Sequence, residues 1–251
     1  MKRRFGIVFA QLTTVAIGLA VWQWVGSDKN MTLFVSTPLA VAEQLASWAI
    51  DPAKWAAAGA TLGEAASGFL VGVVSAVLLG ALVGGSAPLA RFFDPFITAA
   101  NAVPKLAMAP LFIMLFGIGL VSKIYFVATA IFFIPFYNIF AGFRAMDPVF
   151  VQNVRVLGAG WGWRVRDVYA PALFGTLIAS LRVTASWSVL AAVIAECIAA
   201  SSGIGLIISE GQAELQNDVV LAGVVVVSTM VFIIDRSLVL LERRFASWRL
   251  T

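Results

Sequence analysis

The chain has 251 residues, 61% hydrophobic and 12% charged, with a net charge of +4 and a single cysteine but no histidine. A soluble domain carries about a quarter charged residues, so polar surface is too scarce here to coat a soluble globule and lipid must cover part of it. Cys197 alone excludes an intrachain disulfide, the missing histidines remove the commonest metal ligand and acid/base catalyst, and the basic balance points to basic inner loops of a membrane protein rather than to nucleic acid.

Residues 5–27 carry no charge and follow Lys2-Arg3-Arg4. A secretory signal would begin this way, but the apolar run is too long and no small-x-small cleavage site follows Trp22-Gln23-Trp24. The stretch predicts a retained first transmembrane helix with Trp22 and Trp24 at the interface. Residues 28–59 are more polar, and Ser36-Thr37-Pro38 predicts a short amphipathic helix with Thr37 as N-cap and Pro38 in its first turn. A second span is expected over 65–90. Its small residues Gly68, Gly72, Ala76, Gly80 and Gly84 recur every fourth position, a stripe that lets another helix approach closely.

The runs 106–122 and 124–143 predict the third and fourth spans, separated by Lys123 after a tight turn at Gly117 and Gly119. Pro104 opens the third. Pro110 cannot bond back to Leu106, so a bend is expected there, either shaping a transport path or serving packing alone. A fifth span is expected from Ala172 to Ser201 and a sixth from Val219 to Leu241. The fold class is all-α, with six spans in a single transmembrane domain over 1–251 and core helices over about 60–245. With the N-terminus inside, 13 of the 17 lysines and arginines fall on inner segments, which predicts both ends on the cytoplasmic side of a cell membrane.

The polar loop 144–171 is the most informative segment. Asp147 can cap a helix that Pro148 starts, and Gly158 can end it in a left-handed conformation. A second short helix follows with Trp161 and Trp163, and Pro171 is expected to stop it. On physical grounds this pair is either a docking surface for a cytoplasmic partner or a segment lying in the lipid interface. In the fifth span Arg182 sits near mid-membrane, where a charge is a functional candidate by default, either attracting an anionic solute or serving structure. Glu196 lies about 21 Å further along the same face, so the two cannot pair, and it contacts a gate or sits in a wet outer interface.

Several segments together resemble the permease subunits of the nitrate/sulfonate/taurine class of ATP-binding-cassette importers. They are Asp147-Pro148 through Gln152-Asn153-Val154-Arg155-Val156-Leu157-Gly158-Ala159 with Pro171 downstream, Phe116 to Lys123, Ser180-Leu181-Arg182, Ala195 to Gly205 and Leu241-Glu242-Arg243-Arg244. The resemblance spans roughly 35–249 and implies the permease fold of a type I importer. It also implies a homodimer enclosing one pathway, two cytoplasmic ATPase subunits holding ATP and Mg, and a periplasmic or lipid-anchored solute-binding protein. The residues implied for ATPase coupling are Asp147, Gln152, Asn153, Val154, Arg155, Leu157, Gly158 and Ala159, in the loop 146–168. Those expected at the pathway or a gate are Pro104, Pro110, Arg182 and Glu196. The family's Glu-Ala-Ala is replaced here by Gln152-Asn153-Val154, which keeps the length but loses a charge. The chain has no Gly-x-x-x-x-Gly-Lys-Ser/Thr loop, so hydrolysis is expected in trans and no cofactor or metal in this chain. The solute is expected to be a small anion such as a sulfonate or nitrate. The alternative is a secondary transporter driven by an ion gradient, which needs coupling carboxylates at membrane depth, and an intramembrane enzyme has no candidate catalytic groups.

Overall fold

Backbone polar groups in hydrocarbon must be satisfied within their own segment, and every regular element is a helix among the residues that the computed structural model describes, 2–28, 35–158, 160–199 and 201–246. The order is α1 (Lys2–Gly26), α2 (Pro38–Ala49), α3 (Pro52–Gly84), α4 (Ala87–Ala102), α5 (Ala109–Phe116), α6 (Leu120–Ala145), α7 (Pro148–Val156), α8 (Trp161–Arg164), α9 (Ala170–Ala199), α10 (Ile204–Ala213) and α11 (Asn217–Ala246). Among the described residues five helical stretches are long and apolar enough to cross a membrane, and the bent pair Ala87–Ala102 with Lys105–Phe116 brings the count to six when it is taken as one span.

Caps set the boundaries. Thr37 accepts a hydrogen bond from the Ala40 amide at 3.2 Å, with Pro38 in the first turn of α2. Asp51 does the same for the Ala53 amide at 2.8 Å, so α3 begins at Pro52 and ends at Gly84, earlier at both ends than the expected 65–90. The alanine-rich stretch after Asp51-Pro52 favours helix and simply continues into the apolar run.

The expected third span over 106–122 is not one helix. α4 and the segment Lys105–Phe116 meet at 77°, with the break at Val103-Pro104. Pro104 forces extended backbone on Val103 (ψ 131°), and Lys105–Met108 form a 3-10 turn. Pro110 does not bend a helix, because it sits in the first turn of α5, where its missing N–H is not needed. At the break the Lys105 ammonium donates to the Asn101 carbonyl at 2.8 Å, satisfying one acceptor at the end of α4. Pro171 likewise does not stop a helix. α8 runs into α9 through a π turn at Val165–Tyr169, and the wider turn accommodates the proline's missing donor and its ring.

The centre is α3 laid along α6, with α9 against both and α10 and α11 against α9. Gly68, Gly72, Gly80 and Gly84 all face α6. A Cβ on Gly72 would lie 2.8 Å from the Ala128 carbonyl, and one on Gly80 3.1 Å from that of Phe136, so backbone meets backbone where a side chain would stand. α1 buries none of its apolar window in the chain. It is tied to α2 by Trp22, whose indole donates to the Ser36 carbonyl at 2.8 Å.

Candidate functional site

Two constructions at opposite ends of the helices, and one between them, carry the polar chemistry. The first is the loop between α6 and α9. The Val149 amide donates to Asp147 Oδ1 at 2.8 Å, which caps α7. Gly158 ends the turn after it at φ +85°, a conformation that costs glycine little. Gln152, Asn153, Val154 and Arg155 lie on α7, while Ala159 lies outside the described residues. Val156 and Leu157 are 86% and 85% exposed, and Trp163 is exposed with them. Trp161, though 44% exposed, sets its ring beside those of Phe143 and Tyr169, which stack on each other at 4.2 Å. A Cβ on Gly85 would collide with the Trp161 ring, so the loop is seated on the ends of α3 and α6. The loop therefore has a fixed base and an uncovered apolar tip.

The second construction is a buried polar clamp at the far end of the same helices. Thr61 on α3 donates to the Glu196 carboxylate on α9 at 2.8 Å and accepts from the Ile204 amide at 3.0 Å. Glu196 also accepts from the Gly205 amide at 2.8 Å, so it satisfies a free donor at the start of α10. Gly203, at φ +112°, has no Cβ because the Glu196 carboxylate occupies that space. One turn along α3 from Thr61, Glu64 pairs with Lys123 on α6 at 2.6 Å, with side-chain exposures of 5% and 4%. The Lys123 ammonium reaches the Ser202 carbonyl at 3.4 Å as well. Glu64 Oε2 has no hydrogen-bond partner among the described residues. α3, α6, α9 and α10 are thus pinned together by groups wholly removed from water.

Between the two, Arg182 on α9 presents Nε and Nη2 to the carboxylate of Asp235 on α11, at 2.5 and 3.0 Å. The pair lines an open cavity of 460 Å³ with Ser186, Trp187 and Glu242. One arginine facing two carboxylates leaves this cavity without excess positive charge, so the attraction for an anion that a lone Arg182 suggests is offset by its neighbours.

Among the expected site residues, the structure puts Asp147, Gly158 and Leu157 on one loop, and Pro104 and Pro110 at the break before α5. Arg182 and Glu196 stand apart in separate polar groups. Sequence reasoning did not find Thr61, Glu64, Lys123 and Asp235 as partners. Their one signal was a charge or hydroxyl within or beside an apolar run, and Lys123 appeared only as an outer turn residue.

Comparison with known proteins agrees with this architecture. Residues 68–247 match the family described as binding-protein-dependent transport system inner membrane component. The chain is 29% identical over 249 residues to a putative aliphatic sulfonates transport permease protein, SsuC, of Bacillus subtilis, covering 99% of this chain and 90% of that protein. It is 30% identical to the taurine transport system permease protein TauC of Escherichia coli, covering 96% of this chain and 90% of TauC. In fold it is similar to a chain of the MetNI methionine ABC transporter in an inward-facing conformation, with a TM-score of 0.64 at 19% identity, over 74% of this chain and 92% of that one. On these grounds the chain belongs to the binding-protein-dependent transport system inner membrane component family, and it is a multi-pass membrane protein, the permease subunit of an ATP-driven importer and not an enzyme.

Proposed function

We propose that this permease imports a sulfonate or a similarly small anion, and that the loop 146–168 couples it to a separate ATPase. The observation that carries the coupling role is the uncovered tip at Val156 and Leu157, set on a base packed rigidly against α3 and α6. An apolar tip of that kind suits a groove in a partner protein. Asp147 and Gly158 fix its shape, and Gln152 to Arg155 form its helix; Ala159 belongs to the same coupling segment by the resemblance of the sequence. The sulfonate reading rests on similarity to the sulfonate and taurine permeases together with the expectation from the sequence.

In this reading two copies enclose one pathway, two ATPase subunits bind ATP and Mg on the cytoplasmic side, and a periplasmic or lipid-anchored binding protein delivers solute. Both termini are cytoplasmic, as the basic residues predict. ATP binding draws the ATPases together, and the loop carries that motion to the spans, a two-state change driven by differential contacts. Arg182 and the broken pair at Pro104 and Pro110 border the path, while Glu196 acts on it only through the clamp.

The test is a pull-down of the tagged chain from solubilised membranes, wild type against Gly158→Asp, with ATP-driven uptake of a labelled sulfonate in vesicles. An ATPase retained by wild type and lost by the variant, with uptake that needs ATP, supports the reading. Wild-type chain that purifies without an ATPase refutes the coupling role. ATP-driven uptake unaffected by excess sulfonate refutes the solute class alone.

A further inference from the structure

The bend between α4 and α5 holds a cation to which the fold gives no counter-charge. The Lys105 ammonium stands 4.6 Å from the centroid of the Phe133 ring, and Phe133 lies 13 residues from one end of α6 and 12 from the other. The ammonium itself, and not only its backbone, therefore sits about 18–20 Å from either end of that span, at mid-membrane depth. Two of its three protons go to the Asn101 carbonyl at 2.8 Å and to Asn101 Oδ1 at 2.9 Å. Lys105 makes no ion pair among the described residues. Arg182, also placed mid-span, differs in being answered by Asp235 with Glu242 beside it.

A charge at this depth is costly against hydrocarbon. Lys105 is only half-buried, and Asn101 to Pro104 and Leu106 to Ala107 around it are exposed in the single chain. The backbone here is irregular, extended at Val103 and a 3-10 turn from Lys105 to Met108. Irregular backbone at membrane depth is tolerated only against protein or a water-filled cavity. A second copy of the chain has no spare carboxylate to bring. Its Glu64, Glu196 and Asp235 are already bonded, its Asp94 is 8 residues back from the end of α4, and its Glu242 is 4 from the end of α11. An unanswered ammonium on the low-dielectric wall of a wet cavity concentrates anions.

We propose that Lys105 is the residue that meets the anionic group of the transported solute, a sulfonate or a similarly small anion, at the bend. The proposal rests on the import of a small anion given above and names where that anion is held. Arg182 does not take this part, because its charge is already matched. A single cationic contact suits a pathway, since a solute must be held strongly enough to enter and weakly enough to leave.

The test uses right-side-out membrane vesicles loaded with ATP and holding the assembled importer, in a Cys197→Ser background that removes the chain's single cysteine. Lys105→Cys should lower ATP-driven uptake of labelled ethanesulfonate by about tenfold or more, as loss of one charge-assisted hydrogen bond does. Aminoethyl methanethiosulfonate, which puts an ammonium back on the thiol, should restore most of that uptake, whereas the sulfonatoethyl reagent should not. Excess ethanesulfonate should slow both modifications. Lys105→Gln, which still donates to Asn101 but carries no charge, should lose uptake as Lys105→Cys does while keeping the wild-type unfolding midpoint, and it serves if the cysteine variant fails to fold. Lys105→Arg should keep uptake. Uptake unchanged in Lys105→Gln, or a thiol whose modification ethanesulfonate does not slow, overturns the proposal and leaves the solute reading intact. A wild-type importer that takes up no ethanesulfonate under ATP overturns the solute reading, and the proposal with it.

Discussion

Replacing Lys123 by methionine removes the cation that faces Glu64 and leaves a carboxylate with 5% side-chain exposure and no counter-charge. Breaking a buried ion pair from one side costs about 3–5 kcal/mol, because the surviving charge has neither water nor partner. For a chain of this size each kcal/mol lowers the midpoint of unfolding by about 2–4 °C, so Lys123→Met should fall by about 6–20 °C. Glu64→Met should fall by less, since the Ser202 carbonyl at 3.4 Å still accepts from the ammonium. The double variant Lys123→Met/Glu64→Met should return to within about 1 kcal/mol of wild type, because two apolar side chains can fill the site that an ion pair filled. The assay is thermal unfolding in detergent at fixed lipid content, followed by size-exclusion chromatography of the tagged chain. If the two losses add in the double variant, Lys123 and Glu64 do not act as a unit and the clamp reasoning fails.

Gly203→Ala should lower the unfolding midpoint and reduce uptake, because its Cβ would displace the Glu196 carboxylate and its positive φ costs about 1–3 kcal/mol in a residue other than glycine; a wild-type midpoint by the same assay would refute this. Gly72→Leu should prevent α3 from seating on α6, lowering the yield of monodisperse protein more than Gly63→Leu, whose position has nothing within 4 Å. Leu157→Asp should keep the midpoint within about 0.5 kcal/mol of wild type, as exposed positions do. It should nevertheless lose ATP-driven uptake, measured in the same vesicles.

The helical class, the glycine stripe and the capped loop were legible because each is local. Gly68 to Gly84 repeat with the helix period, and Asp147, Pro148 and Gly158 bracket a single short helix, so spacing alone carries the message. The clamp was not legible, since Thr61 and Glu196 are separated by 135 residues and nothing in either segment names the other. Glu64 fell just before the expected span, so its burial at the level of Lys123 was hidden by a boundary set at the first uncharged residue. Pro110 and Pro171 misled for one reason. A proline forbids a particular hydrogen bond, and that bond is already absent in a helix's first turn or displaced in a π turn. Asp235 lies within the expected sixth span with no sequence neighbour to mark its partner, and it pairs with Arg182 on another helix.

The 77° break before α5 bears on how the chain is made as well as on its final shape. With 8 residues, α5 reaches about 12 Å, well short of the roughly 30 Å hydrocarbon layer. α5 alone therefore does not cross the layer, and it reaches a spanning length only together with α4 across the bend. Phe112 and Phe116 find their ring partners in Phe126 and Tyr125, which are synthesised afterwards on α6. The earlier segment therefore gains these ring contacts only after the later one has been made. A chain arrested before α6 emerges would lack both Tyr125 and Phe126, and with them the rings against which α5 packs.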